Sequence, residues 1–220
     1  MEPCDAAYKK DVLLSCYEAL ADQGFIKFRK ENVDWPLENG FHCWVGLNTG
    51  LYAEYVEINP FSGVHSVTIE RLWTSTKKGK HPGKYDRGIA TYGIHLGKIA
   101  PEEKAFQFGR DVNLKAEARR LAELYVRVGL PFSKSIASYD SILPLLKNRV
   151  EMLGGNPERY ASCLFLMGRA EEAQSFVKDF LSDHEEYFEG FALPFLRMID
   201  GSAGGAVVPP SDSKGTGRAR

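Results

Sequence analysis

With 220 residues, 44% of them apolar and 26% charged, the chain is long enough for one substantial core and has the composition of an ordinary globular protein. Its formal net charge of -1 excludes a strong sequence-independent pull toward nucleic acid or anionic membrane. No apolar run nears the roughly 20 residues that span a bilayer. The charged opening MEPCDAAYKKDVLL lacks the unbroken apolar stretch of an export signal, so a cytoplasmic location is expected.

Residues 5–22 carry Ala6, Val12, Leu13, Cys16, Tyr17, Leu20 and Ala21 at helical spacing, with Gly24 as the stop. The period then changes to two. FIKFRKE, FHCWVGL, LYAEYVEI, GVHSVTIERLW and GIATYGIHL each read as a strand, with Val67 and Ile69 expected on the same face as His65. Turn signals separate them at Glu38-Asn39-Gly40, Asn48-Thr49-Gly50 and Asn59-Pro60. From Asn113 the helical period returns. A helix is predicted from Leu114 to Gly129, a second capped by Ser138 or Asp140, and two or three more after Pro157, with breaks near Gly168 and Ser182.

Strands grouped before helices predict an α+β fold: an N-terminal helix, a five-stranded and mainly antiparallel meander sheet, and a helical C-terminal half. Residues 1–110 are expected to hold the first helix and the sheet. Residues 111–200 are expected to form the helical half, packed on or beside the sheet as a second domain or as part of one. The Gly/Pro-rich residues 201–220 are expected to be a disordered tail.

The cysteines, at 4, 16, 43 and 163, form no C-x-x-C pair, and three sit among apolar neighbours, so reduced core thiols are expected. The phosphate-loop, dinucleotide, nucleophile-elbow and H-E-x-x-H patterns are all missing. No cofactor is implied. His42, His65 and His95 fall on different predicted strands, where two of them, with Glu54, Glu57 or Glu70, can meet on one face. Strand register decides that, and metal is not the expected outcome. Ser138 follows Lys134 by one helical turn, as a Ser-Lys dyad needs, but a serine-rich loop and helix cap explains that stretch better.

The basic stretch holds Lys77, Lys78, Lys80, His81, Lys84 and Arg87, with Gly79 and Gly83 freeing the backbone and Tyr85 able to stack on a base. It reads first as a solvated connector and second as an anion grip. Trp44, Tyr52 and Tyr55 are expected on an exposed sheet face, as aromatic side chains that anchor interfaces are.

ASCLFLMGRAEEAQSFVKDFL, within residues 158–181, resembles one tetratricopeptide-type helical hairpin, with Leu164, Gly168, Ala173 and Phe176 in the repeat's positions. The wider order is a helix, a Gly24-Phe25 strand, Trp44-Val45-Gly46-Leu47, the stretch from Glu57 to Val64, then helices ending in that hairpin. This layout is similar to small uncharacterised bacterial proteins, some of which accompany secreted or contact-dependent toxins as immunity factors. The resemblance implies a protein partner. The leading expectation is a non-catalytic protein-binding module of immunity type, without membrane or nucleic-acid partners. The alternative is an enzyme or binder of a phosphorylated or nucleotide ligand, an anionic small molecule gripped by residues 77–87.

Overall fold

The computed structural model describes residues 2–76, 85–152 and 154–202. Among them the architecture is α+β. Helix α1 (Ala6–Asp22) is followed by strands β1 (Ile26–Arg29), β2 (Asn32–Pro36), β3 (Phe41–Leu51) and β4 (Tyr55–Ser66), helix α2 (Val67–Thr76), and strands β5 (Tyr92–His95) and β6 (Phe106–Gly109). The helical half comprises α3 (Leu114–Leu124), a π turn (Tyr125–Gly129), α4 (Leu130–Ser135), α5 (Tyr139–Lys147), α6 (Pro157–Leu166), α7 (Ala170–Asp183) and α8 (Glu185–Ser202). Of the two caps the sequence offered for α5, Ser138 serves, accepting from the Ser141 amide, and at α1 Asp5 accepts from the Tyr8 amide.

The sheet has six strands in the order β1-β2-β3-β4-β5, every pairing antiparallel, with β6 beside β5 on the same side of β4. Two expected turns are strand instead. Asn48-Thr49-Gly50 lies inside β3, and Asn59-Pro60 lies inside β4. Pro60 is tolerated because it falls between the β6 partners (Tyr55–Ile58) and the β5 partners (Phe61–Val64), where β4 has no second ladder to feed. The reversal comes at residues 52–55, closed by the Tyr52 amide donating to the Tyr55 carbonyl at 3.0 Å.

The expected strand through Val67 and Ile69 also ends early. The Ser66 hydroxyl accepts from the Ile69 amide at 3.4 Å, and Ile69, Leu72 and Trp73 then follow helical spacing inward. Val67 and Ile69 therefore do not share a strand face with His65.

One face of the sheet carries the helices. Cys43 and Val45 of β3 with Val56 and Ile58 of β4 pack in a cluster with α1 and α3. Phe41 and Val64, at the other end of the same face, pack with α2 and α5–α8. Between these clusters the buried Tyr125 hydroxyl lies 2.9 Å from the Gly46 carbonyl and 3.0 Å from that of Phe61, while Ser133 donates to Gly63 at 2.7 Å. The four cysteines are free and buried, and burial raises the Cys16 and Cys163 thiols to about 12. Among the described residues no helix is long and apolar enough to cross a membrane.

Candidate functional site

Alternation along β3 and β4 sends the other set of side chains away from the helices. With the observed register this outward face carries His42, Trp44, Gly46, Asn48 and Gly50 opposite His65, Gly63, Phe61, Asn59 and Glu57. Asp34 of β2 pairs with Trp44 and so joins the same face. From His65 to Tyr55 the strip runs about 34 Å at the usual rise per residue.

At the His65 end the strip is covered by residues 85–91, which cross it as a strap. Trp44 donates its indole N–H to the Gly88 carbonyl at 2.8 Å. His65 is 1% exposed. Its Nδ1 lies 2.8 Å from the Ile89 carbonyl, which fixes the proton on Nδ1 and leaves Nε2 to accept from the Tyr85 hydroxyl at 2.9 Å. Arg87 grips the buried Asp34 with two N–H groups, through Nε and through Nη2 at 2.6 Å, and its Nη2 also lies 3.1 Å from His42 Nδ1. Asp86 accepts from the Gly88 amide and pairs with Arg29 at 2.8 Å. The strap re-enters the sheet at Thr91, whose hydroxyl accepts from the Ser66 amide and donates to Glu70, both at 2.8 Å.

The charges follow from these partners. Burial pushes Asp34 up, but hydrogen bonds from His42 and Arg87 outweigh it and leave the carboxyl below its ordinary value. Burial pushes His65 down, against the opposing pull of the Ile89 carbonyl and Glu70. The folded protein therefore holds His65 neutral while the unfolded chain takes up a proton near pH 6.5. Stability contributed by His65 is present above that pH and lost as pH falls through it, at up to about 1.4 kcal/mol per pH unit. Urea unfolding at pH 7.5, 6.5 and 5.5 reads this directly. His65→Asn, which keeps a donor toward Ile89, is expected to flatten the slope; an unchanged slope would show that His65 does not set it.

The uncovered end of the strip is aromatic. At its border the Trp44 indole, tied to the strap, lies on Gly46, where a Cβ would meet the ring at 2.2 Å, and further out the Tyr52 ring lies on Gly50, where a Cβ would meet it at 2.8 Å. Tyr52 and Tyr55 stand 4.8 Å apart between ring centroids, tilted by 33°. Phe61 meets His95 edge to face at 5.1 Å. Tyr52 and its neighbour Leu51 are 47% and 43% exposed.

The structure thus brings Trp44, Tyr52, Tyr55, His65, His95, Tyr85 and Arg87 to one face. Lys77, Lys78, Lys80, His81 and Lys84 lie outside the described residues. His42 and His65 are cross-strand neighbours, their rings 6.2 Å apart, whereas His95 sits opposite Phe61, about 13 Å further along β4. Among the described residues no group of three His, Cys, Asp or Glu side chains is arranged to hold a metal. Ser138 caps α5 and Lys134 lies in the separate α4, so the two do not share a helical turn.

Sequence reasoning passed over Asp34 and Thr91, and weighed Glu70 only as a carboxylate beside the strand histidines. Asp34 sits in NVDWP, too short a run to read as a strand, and Glu70 in a stretch read as strand when it is helix. Two open clefts, of about 520 Å³ beside Tyr160 and Phe176 and about 670 Å³ beside Trp35 and Leu37, lie away from the strip. Compared with family models, curated proteins and solved structures, the chain finds no match.

Proposed function

We propose that this chain is a non-catalytic protein-binding module whose contact surface is the outward face of the sheet. The observation that carries the reading is the seating of Tyr52 on Gly50 beside Tyr55, with Trp44 seated on Gly46 further along the same strand pair, all on the sheet face opposite the helical layer. Rigid aromatic side chains bury large area at little entropic cost, which is why they dominate protein interfaces. The strap supports the same reading from the chemical side. Its Arg87 is committed to Asp34, and His65 has both ring nitrogens engaged, so neither is free to act on a substrate. The layout similarity to immunity factors makes a bacterial toxin the partner class this reading favours, and the free, buried cysteines suit the cytoplasm.

Affinity capture with the full chain from its native cells is expected to yield a stoichiometric protein partner. That partner should be lost with Tyr52→Ala plus Tyr55→Ala. Turnover of a small substrate by the purified monomer, with no partner bound, would overturn the reading. The alternative, a binder of a phosphorylated or nucleotide ligand through residues 77–87, predicts a thermal shift with such compounds that shrinks as salt rises.

A further inference from the structure

The hairpin between β3 and β4 has a chemical character beyond its aromatic surface. Its reversal is pinned by the amide of Tyr52 on the carbonyl of Tyr55, so the two rings are presented by a fixed turn. Two carboxylates are their neighbours. Glu57 lies two residues from Tyr55 on the same strand face, and the Asn59 side-chain amide donates to Glu57 Oε1 at 2.9 Å, orienting that carboxylate. Glu54 sits in the turn itself and is exposed. Neither Glu54 nor Glu57 has an ion-pair partner among the described residues. Burial, then the neighbouring Glu57, Tyr52 and Glu54, raise the Tyr55 hydroxyl above its ordinary value. Elsewhere on this face the opposite holds: Asp34 and Asp86 are both answered by arginines of the same chain.

Resting on the protein-binding reading, we infer that the Tyr52–Tyr55 tip is a receptor for an arginine side chain of the partner protein, its guanidinium stacking on the tyrosine rings and pairing with Glu57. The faces of aromatic rings attract cations, and a carboxylate beside the ring adds the fork of two N–H···O bonds that a guanidinium makes and an ammonium does not. Among the described residues the site is unanswered, and its charge is complementary to a basic side chain. Tyr52, which packs on Gly50 and Tyr55, keeps about half of its surface accessible to an incoming group.

The test is an NMR titration of the full chain with N-acetyl-arginine amide, N-acetyl-citrulline amide and N-acetyl-lysine amide at millimolar concentrations. The arginine derivative is expected to move the Tyr52 and Tyr55 ring signals saturably and to leave Tyr187 unmoved. Citrulline, which keeps the shape and lacks the charge, is expected to bind about fivefold or more weakly. Glu57→Gln and Tyr52→Ala, both at solvent-accessible positions, should abolish the arginine response. No movement in the wild-type chain, equal response to citrulline or lysine, or an undiminished response in Glu57→Gln would each overturn the assignment. The broader reading fails separately, when the full chain captures no protein at all. A captured partner that stays bound to Glu57→Gln and Tyr52→Ala sinks the arginine site and leaves that reading standing.

Discussion

Glu70→Ala is expected to lower the unfolding free energy by about 3–5 kcal/mol, a large share of the 5–15 kcal/mol typical of a domain. Glu70 and Arg159 are 1% and 5% exposed and meet through two hydrogen bonds, at 2.6 and 3.0 Å. The guanidinium also lies 4.8 Å from the Trp73 ring. Removing the carboxylate leaves a buried cation with no counter-charge, and the cost of that exceeds what the intact pair contributes. Thr91 loses its acceptor as well, so the point where the strap rejoins the sheet loosens together with the α2–α6 contact. Urea unfolding followed by circular dichroism reads the loss. The double variant Glu70→Leu with Arg159→Met is expected to recover most of it, because neither charge then remains buried. Full recovery is not expected, since the Thr91 hydroxyl, still accepting from Ser66, has no acceptor for its own proton. A Glu70→Ala loss below about 1 kcal/mol would show that the pair is solvated and contributes little to holding α2 against α6.

Gly63→Ala is expected to cost about 3 kcal/mol, at the upper end for overpacking, because the obstacle is backbone. A Cβ on Gly63 would sit 1.9 Å from the Tyr92 carbonyl oxygen and 2.5 Å from the Gly93 Cα. No side-chain rotation relieves that contact, so β5 must move off β4 over the register that pairs Gly63 with Gly93. Displacement of β5 pulls on the strap that leads into it, and the Trp44 indole loses its fixed acceptor at Gly88. A fall in the urea midpoint together with a change in tryptophan emission is the expected result. A variant with wild-type stability would mean that β5 is not held against β4 as described.

Helices were legible in the sequence because they are local. Asp5, Ser138 and Pro157 mark starts that the structure keeps, and Gly168 marks the turn between α6 and α7, which form a helical hairpin. The strands were legible as a class, and the alternation that put Trp44 and His42 on one face of β3 holds. Their boundaries were not, because residues that signal turns were recruited by tertiary contacts. Gly50 is there to seat a ring, and Pro60 lies where no donor is needed. β6 was missed because FQFG is four residues long and is held by distant partners, its pairing with β4 and the burial of Phe106 and Phe108 in the core. The helix α2 was read as strand because Val67 and Ile69 are β-branched, while the cap at Ser66 that decides the matter is a single hydroxyl.

The candidate site followed the same division. Its aromatic members were visible as residue types, and register then set Trp44, Tyr52, Tyr55, His65 and His95 on a shared face. The polar cluster beneath the strap was out of reach, because Asp34, Arg87 and His65 come together from separate stretches of chain. Tyr85 and Arg87, which looked like one end of a basic grip, turn inward and hold the strap to the sheet.

The central claim is that the outward sheet face is the partner-binding surface. Hydroxyl-radical footprinting of the free chain and of its captured complex tests it most directly, because it reads aromatic and sulfur side chains one by one. The account predicts that Tyr52, Tyr55 and Trp44 lose reactivity in the complex. Tyr187 and Met152, each 60% exposed on other elements, should keep theirs. Protection of Tyr187 or Met152 with Tyr52 and Tyr55 unchanged would contradict it.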